Sequence, residues 1–491
     1  MSAGASTVTA RPLASFVAGE WRSGPRVFED RNPARPSEVL AVVEGADAAL
    51  AEDAVAAARH AFPAWRRTPA PARAELLHAV ATRLEEHADE IGRDMALEEG
   101  KTLGEAVAEA RGAALQFRYA AGRVLEPDGA TVPSRDRRTA LLMARREPIG
   151  VVACITPWNF PLSIPAWKLA HALATGNTVV WKPAEITPLT SVHLATALAE
   201  AGVPAGVVNT VLGEGAVVGR VLVGHPDVDG VSFTGSNAVG ADIAARSGTR
   251  QRVQLEMGGS NPAVVLADAD LELAADEIAQ GAFLSAGQKC TATARVIVEE
   301  PVYDELAERI AHLARTWRVG DPLDPTTVVG PVASEAQHRH VRGHLLDVPE
   351  RARVLAGGPD AVAPPEGWFV APTVLAEVPA DAPLATQEVF GPVTTLVRAK
   401  DYDDAVRLAN ATAYGLSASI FTRDLDLALR FAEDAEAGVV KVNKATTGNE
   451  PHVPFGGRKA SGAGPSEMGW TARDFFTTWK TVYVGLSGSA S

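Results

Sequence analysis

The stretch Gly287-Gln288-Lys289-Cys290-Thr291 holds one of only two cysteines in a chain of 491 residues. An apolar, helix-like run from Ile278 to Leu284 precedes it, and a β-branched run, Arg295-Val296-Ile297-Val298, follows. Cys290 therefore falls in a tight glycine-containing connection between a predicted helix and a predicted strand, where a side chain can project from a rigid scaffold into a cleft. As thiolate it is a nucleophile suited to carbonyl carbon; the alternative role is that of a small buried hydrophobe. Two further groups have matching chemistry. Gln254-Leu255-Glu256-Met257-Gly258-Gly259 puts a carboxylate beside a glycine pair, a general base in a cleft or else an ordinary exposed Glu. Thr156-Pro157-Trp158-Asn159-Phe160-Pro161 holds Asn159 between two prolines. Rigid flanks fix its amide as a donor to a developing oxyanion requires, although an Asn there can equally cap its own turn.

Cofactor signals are present but individually modest. There is no GxGxxG and no Walker-type loop. Phe233-Thr234-Gly235-Ser236, with Gly240 shortly after, lies at a strand-to-helix turn. Glycines there let a helix N-terminus approach a pyrophosphate, and they also suit an ordinary βα turn. Trp181-Lys182-Pro183-Ala184-Glu185 follows a short buried strand. Lys182 can bond ribose hydroxyls and Glu185 can accept from an adenosine-ribose hydroxyl while repelling a 2′-phosphate; the plainer reading is a surface ion pair. Glu388-Val389-Phe390-Gly391-Pro392 offers an acid for a ribose and an aromatic ring to pack near a nicotinamide. His338, His340 and His344 fall at helical spacing in an Arg-rich segment, which reads as an exposed helix and not a metal site. Cys154, within Val151-Val152-Ala153-Cys154-Ile155, reads as core filler.

The elements that must position these groups divide into blocks. Residues 1–18 are small and polar and read as a loose arm. Asp47 to Trp65, Arg73 to Met95 and Glu105 to Val124 are amphipathic helices. Residues 126–145, with Pro127, Gly129 and Pro133, form a predicted hairpin standing off the body, its Arg135-Asp136-Arg137-Arg138 turn solvated. From Pro148 the pattern alternates: strands at Gly150–Ile155, Asn177–Trp181, Val207–Val211 and Val228–Phe233, and helices at Trp167–Thr175, Leu189–Ala201, Ala216–Val223 and Asn237–Arg246. This rhythm predicts parallel βαβ units and a doubly wound sheet that binds ligands beyond its strand C-termini. A second α/β set starts near Gly258 and includes helices at Tyr303–Arg315 and Asp403–Ala411 and strands at Leu416–Phe421 and Gly438–Asn443. The last run, Phe475 to Val484, alternates like an exposed strand.

Bulk properties narrow the function. The length exceeds a single core, so two or three domains are expected. A net charge of −14 argues against nucleic acid or an anionic membrane as partner. Two cysteines make no disulfide framework and fit a reducing compartment. Met1 to Ala10 lack the features of a secretion signal, and the longest uncharged run, Val151 to Trp167, is broken by prolines and too short to span a bilayer. A soluble cytoplasmic protein is expected.

Taken in order, the motifs around Asn159, Lys182, Gly235, Glu256, Cys290 and Glu388, with Pro454-Phe455-Gly456-Gly457, resemble the NAD(P)-dependent aldehyde dehydrogenase superfamily over essentially the whole chain. The resemblance implies an α/β fold: a Rossmann-like NAD-binding domain (1–125 and 146–257), an α/β catalytic domain (258–471) and a small β oligomerisation domain (126–145 and 472–491). It implies that Cys290 attacks the aldehyde, that the Asn159 amide and the Cys290 N–H hold the oxyanion, and that Glu256 activates water to hydrolyse the thioester. Lys168 maps onto a lysine near the active site, without an assigned role. Thr156, Trp158, Lys182, Glu185, Gly235, Ser236, Gly240, Glu388 and Phe390 map onto cofactor contacts. Met257 stands where the family more often has Leu, a volume-conserving change. Glu256 favours hydrolysis over acyl transfer to CoA, and Glu185 favours NAD over NADP, although such sites can take both. No metal is implied.

Narrower resemblance, carried by Gln254 to Gly259, Gly287 to Thr293, Val440-Lys441-Val442-Asn443 and Phe475 to Thr481, is to the α-ketoglutaric semialdehyde (2,5-dioxopentanoate) dehydrogenases. It implies an anionic semialdehyde such as 2,5-dioxopentanoate or succinic semialdehyde. Residues 444–450 depart from that pattern and are expected in the substrate tunnel. A neutral or phosphonate-bearing aldehyde therefore stays open, as does, more remotely, a non-catalytic structural relative. The exposed terminal strand predicts pairing between subunits, in a homodimer or homotetramer.

Overall fold

The computed structural model describes residues 10–486. Val151–Ile155, Thr178–Lys182 and Val208–Thr210 pair in parallel in one direction. The chain then recrosses, so that Gly230–Thr234 and Arg252–Glu256 add in parallel on the other side of Val151–Ile155. The order reverses between Val151–Ile155 and Gly230–Thr234, and that switch point opens a crevice beyond the strand C-termini. Every residue of Gly230–Thr234 and Thr178–Lys182 is buried, as strands covered by helices on both faces demand. A seven-stranded second sheet, centred on Thr293–Glu299 between Val393–Ala399 and Asn261–Val265, is parallel except at its Arg353–Ala356 edge. The α/β class expected from the alternation is what the chain adopts.

The hairpin and the terminal strand come together. Gly129–Thr131, Thr139–Pro148 and Thr477–Gly485 form one antiparallel sheet, with Thr477–Gly485 at an edge. Gly462–Ala463, a return from the second unit, pairs with Leu255 and Glu256 on the first sheet. That return brings the following residues under the end of the Glu256 strand.

Three expectations need correction. Residues 10–18 are not a loose arm. Arg11–Leu13 runs parallel to Val39–Gly45, and Ser15–Val17 extends the first sheet through Phe16 opposite Thr210. Leu13, Ser15 and Val17 all face inward, a period-two pattern hidden by the small residues around it. Residues 1–9 of the expected arm lie outside the described residues. Arg73 to Met95 is two helices, Ala70–Glu86 and Ala88–Glu99, broken at His87 with Asp89 and Glu90 in the first turn of the second. Acids there suit a helix start. Ala216–Val223 is no regular helix: a π turn, Gly215–Gly219, precedes Arg220–Leu222, and the Gly215 N–H is drawn to the Glu185 carboxylate.

Candidate active site

Cys290 stands where a strained turn delivers it. The helix Leu271–Phe283 gives way to a 3-10 turn, Leu284–Gly287, with Ser285, Ala286 and Gly287 all at positive φ (55°, 51° and 67°). A Cβ on Gly287 would lie 2.0 Å from the Gly391 carbonyl oxygen, so only glycine fits this close approach. The strand Thr293–Glu299 begins just beyond, and the Asn261 amide ties the Cys290 and Ala292 carbonyls at 2.8 Å each. Strain held by surrounding structure is a common property of reactive turns.

Two cavities meet at Cys290. One, of about 450 Å³, is lined by Trp158, Asn159, Gly235, Ser236, Glu388 and Phe390 among others. The second, of about 540 Å³, is lined by Trp167, Lys289, Met468 and the Thr447–Pro451 loop among others. Residues 444–450 thus reach the second cavity through Thr447 to Glu450, as expected for a tunnel wall. Lys441 pins this loop by donating to the Thr447 and Gly448 carbonyls.

The Asn159 side chain is buried, and its Nδ2 donates to the Gln288 carbonyl at 2.8 Å. One amide hydrogen is thereby fixed beside Cys290 and the second is left for another acceptor. Below it, the Lys101 Nζ donates to the Asn159 carbonyl at 2.7 Å and to Glu109. Asn159→Ala is expected to cut kcat about 10²- to 10³-fold with folding preserved, the cost of one lost oxyanion donor; stopped-flow NADH kinetics read it.

Glu256 ends its strand fully buried. Its carboxylate takes a hydrogen bond from the Gly457 N–H, while its Oε2 has no partner among the described residues. Burial, then the charge of Glu467, push it well above the usual carboxylate range, against the pull of Lys168. Lys168 is buried behind it, paired with Glu467 and donating to the Ser232 Oγ at 2.9 Å. Two carboxylates share one ammonium, so the cluster favours retaining a proton. Burial also pushes the Cys290 thiol up, with Glu388 and Glu256 adding to it.

Beyond Trp158 the first cavity has the character of a cofactor crevice. Ser236 caps the helix Asn237–Ser247, its Oγ accepting from the Val239 N–H, and the Gly235 N–H bonds the Glu256 carbonyl at 3.0 Å. A Cβ on Gly240 would sit 2.4 Å from the Met257 Sδ, so this glycine sets helix-to-strand packing beneath the crevice. Glu388 accepts from the Gly259 N–H at 2.9 Å, and burial raises it to about 7. Phe390, at φ 52°, meets the Trp158 ring edge-on at 5.5 Å. Lys182 and Glu185 do not line that cavity; they pair at 2.9 Å at the end of the neighbouring strand, facing Gly215. Burial works to raise Glu185, but Lys182 and the Gly215 N–H outweigh it and hold the carboxylate below its usual range. Thr156 lies between, accepting from the Trp181 Nε1 at 2.9 Å. A groove floored by glycine, flanked by a helix N-terminus and ending at a poised carboxylate fits a dinucleotide.

Sequence reasoning missed Glu467, although a signal existed: Lys168 sits in an apolar helix, and a buried ammonium demands a counter-ion. The histidines form a helix, Glu335–Leu346, as expected. It is not merely exposed, because His340 and His344 line the first cavity. Cys154 is fully buried, its thiol pushed up to about 12.

Comparison with known proteins agrees with this geometry. The family described as "Aldehyde dehydrogenase family" matches residues 21–482. The chain is 41% identical over 478 residues to "Alpha-ketoglutaric semialdehyde dehydrogenase" of Bacillus subtilis (strain 168), covering 96% of this chain and 97% of that protein. It is 41% identical over 475 residues to "2,5-dioxopentanoate dehydrogenase" of Saccharolobus solfataricus, covering 96% and 98%. Among solved structures, betaine aldehyde dehydrogenase of Staphylococcus aureus in complex with NAD+ superposes with a TM-score of 0.93 at 33% identity, covering 97% of this chain and 95% of that one.

Proposed function

Because the chain belongs to the aldehyde dehydrogenase family, we propose that it oxidises a short anionic semialdehyde, 2,5-dioxopentanoate first and succinic semialdehyde next, to the carboxylic acid with NAD. The observation that carries this reading is the meeting of two cavities at Cys290, one shaped for a dinucleotide and the other for a small substrate. The names of the similar proteins from Bacillus subtilis and Saccharolobus solfataricus support the substrate class.

In this reading the Cys290 sulfur adds to the aldehyde carbon, and the free amide hydrogen of Asn159 with the Cys290 N–H receives the oxyanion. The nicotinamide supplies a hydride acceptor when bound. Glu256 takes a proton from water, which attacks the resulting thioester and frees the acid. Lys168 acts through the Glu467 pair behind Glu256 and is a positioning residue. Glu388 and Phe390 hold the nicotinamide half of the cofactor, and Lys182 with Glu185 its adenosine ribose.

We assign residues 1–125 and 146–257 to the cofactor domain, 258–471 to the catalytic domain, and 126–145 with 472–491 to subunit pairing in a cytoplasmic homodimer or homotetramer. Support for the last comes from the antiparallel sheet edge at Thr477–Gly485, where Trp479 and Tyr483 are 56% and 69% exposed. A monomer by light scattering overturns that assignment.

The substrate is tested with an aldehyde panel scored with NAD and with NADP. The expected result is kcat/KM at least about 10-fold higher for the two semialdehydes than for neutral or phosphonate-bearing aldehydes, the net size of one hydrogen bond, with NAD preferred. A neutral aldehyde at the top of the panel overturns it.

A further inference from the structure

The second cavity contains several charged groups, and nearly all are committed. The Glu109 carboxylate takes Lys101 and the N–H groups of Leu162 and Ser163. Glu105 closes the capping box at Thr102 and accepts from the Ser285 hydroxyl at 2.8 Å. Lys101 is occupied by Glu109 and the Asn159 carbonyl. Glu450 is exposed at the loop, where solvent screens it. Lys289 is different. It lines the same cavity, and its ammonium has no hydrogen-bond or ion-pair partner among the described residues.

From this we infer that Lys289 is the specificity residue of the tunnel, its ammonium receiving the far carboxylate of the substrate while the neighbouring Cys290 takes the aldehyde. The inference rests on the semialdehyde reading above. A largely buried ammonium is costly without a paired counter-charge, and here burial draws the Lys289 pKa down; Glu105 and Glu99 pull it back and Lys101 opposes them, but none of the three is paired with it. A substrate carboxylate supplies that charge. The length also fits. The two residues are consecutive, their Cα atoms ~3.8 Å apart, and the aldehyde carbon and carboxylate of a five-carbon chain lie about 5 Å apart at ~1.5 Å per bond. A flexible four-carbon stem reaches that distance, and it also accommodates a chain one carbon shorter. Selection would then act on the charge at the far end and only loosely on length.

The test is the ratio of kcat/KM for succinic semialdehyde over butanal, two four-carbon aldehydes that differ in the carboxylate, in wild type, Lys289→Met and Lys289→Arg. The expected result is a ratio about 30-fold lower in Lys289→Met, as for a lost hydrogen bond to a charged group, expressed mainly in KM, with much of it restored in Lys289→Arg. A ratio within twofold of wild type, or an equal fall in kcat on both substrates, overturns the assignment. Preference of the wild type for butanal would sink the semialdehyde reading alone. Lys289 is then judged with glutarate as a competitor against butanal: an inhibition constant about 30-fold weaker in Lys289→Met upholds the carboxylate site, and an unchanged one removes it.

Discussion

Cys290→Ala is expected to abolish aldehyde-dependent NADH formation, a loss of more than about 10⁴-fold, while the protein still folds and binds the dinucleotide. Removing a nucleophile commonly costs this much, because the remaining groups stabilise an attack that no longer occurs. The substitution itself is mild. Cys290 is partly accessible and packs only at the margin of a small apolar cluster of Leu416, Phe455 and Met468, so truncation leaves no large cavity. The same variant settles the thiol count. Cys154 is fully buried in a core strand with its thiol pushed up to about 12, so a haloacetamide should label the native wild type once and Cys290→Ala not at all. Because Cys290 is itself raised by burial and by Glu388 and Glu256, its labelling rate should climb with pH across the neutral range. Retained turnover in Cys290→Ala would remove the covalent mechanism and with it the reading of both cavities.

How far the sequence exposes this site follows from what each group needs locally. Cys290, Glu256 and Asn159 sit in short stretches whose glycines and prolines mark irregular backbone, and irregular backbone with a reactive side chain is visible without a structure. Gly235 and Ser236 are legible because the strand-to-helix turn falls in a clear alternation. Lys182 and Glu185 also stand at a strand end, but that they face Gly215 and not the cavity of Cys290 depends on the order of strands in the sheet. That Lys168 needs a counter-ion is legible from its apolar helix, but that Glu467 supplies it is not, because Lys168 and Ser232 lie 299 and 235 residues away in sequence. The N-terminal strands were obscured for another reason. Their partners Val39–Gly45 and Thr210 are distant, and strands of three residues carry too little periodicity to stand out from a polar tail. Lys289 is the converse case: its place beside the nucleophile was plain, but an unpaired ammonium is defined only by neighbours that turn out to be occupied.

Glu256→Gln separates the two halves of the reaction. The amide keeps the size of the side chain and can still meet the Gly457 N–H, so the fold should hold, but it cannot take a proton from water. Attack by Cys290 and hydride loss should then proceed once, giving a stoichiometric burst of NADH, after which steady turnover falls about 10²- to 10⁴-fold and an acyl thioester accumulates on Cys290; mass spectrometry of the quenched protein detects it. The pH dependence has a definite sign. Burial and Glu467 raise the Glu256 carboxyl well above its usual range, so it holds its proton at low pH and gains base character only as pH rises through that raised value. Wild-type kcat should therefore climb towards alkaline pH when hydrolysis limits the rate, and that limb should vanish in Glu256→Gln. Loss of the burst together with turnover would give Glu256 a different task, deprotonating the raised Cys290 thiol before attack, because Glu256 is close enough for its charge to be felt at that thiol. The burst amplitude thus distinguishes a base that serves the thioester from one that serves the nucleophile.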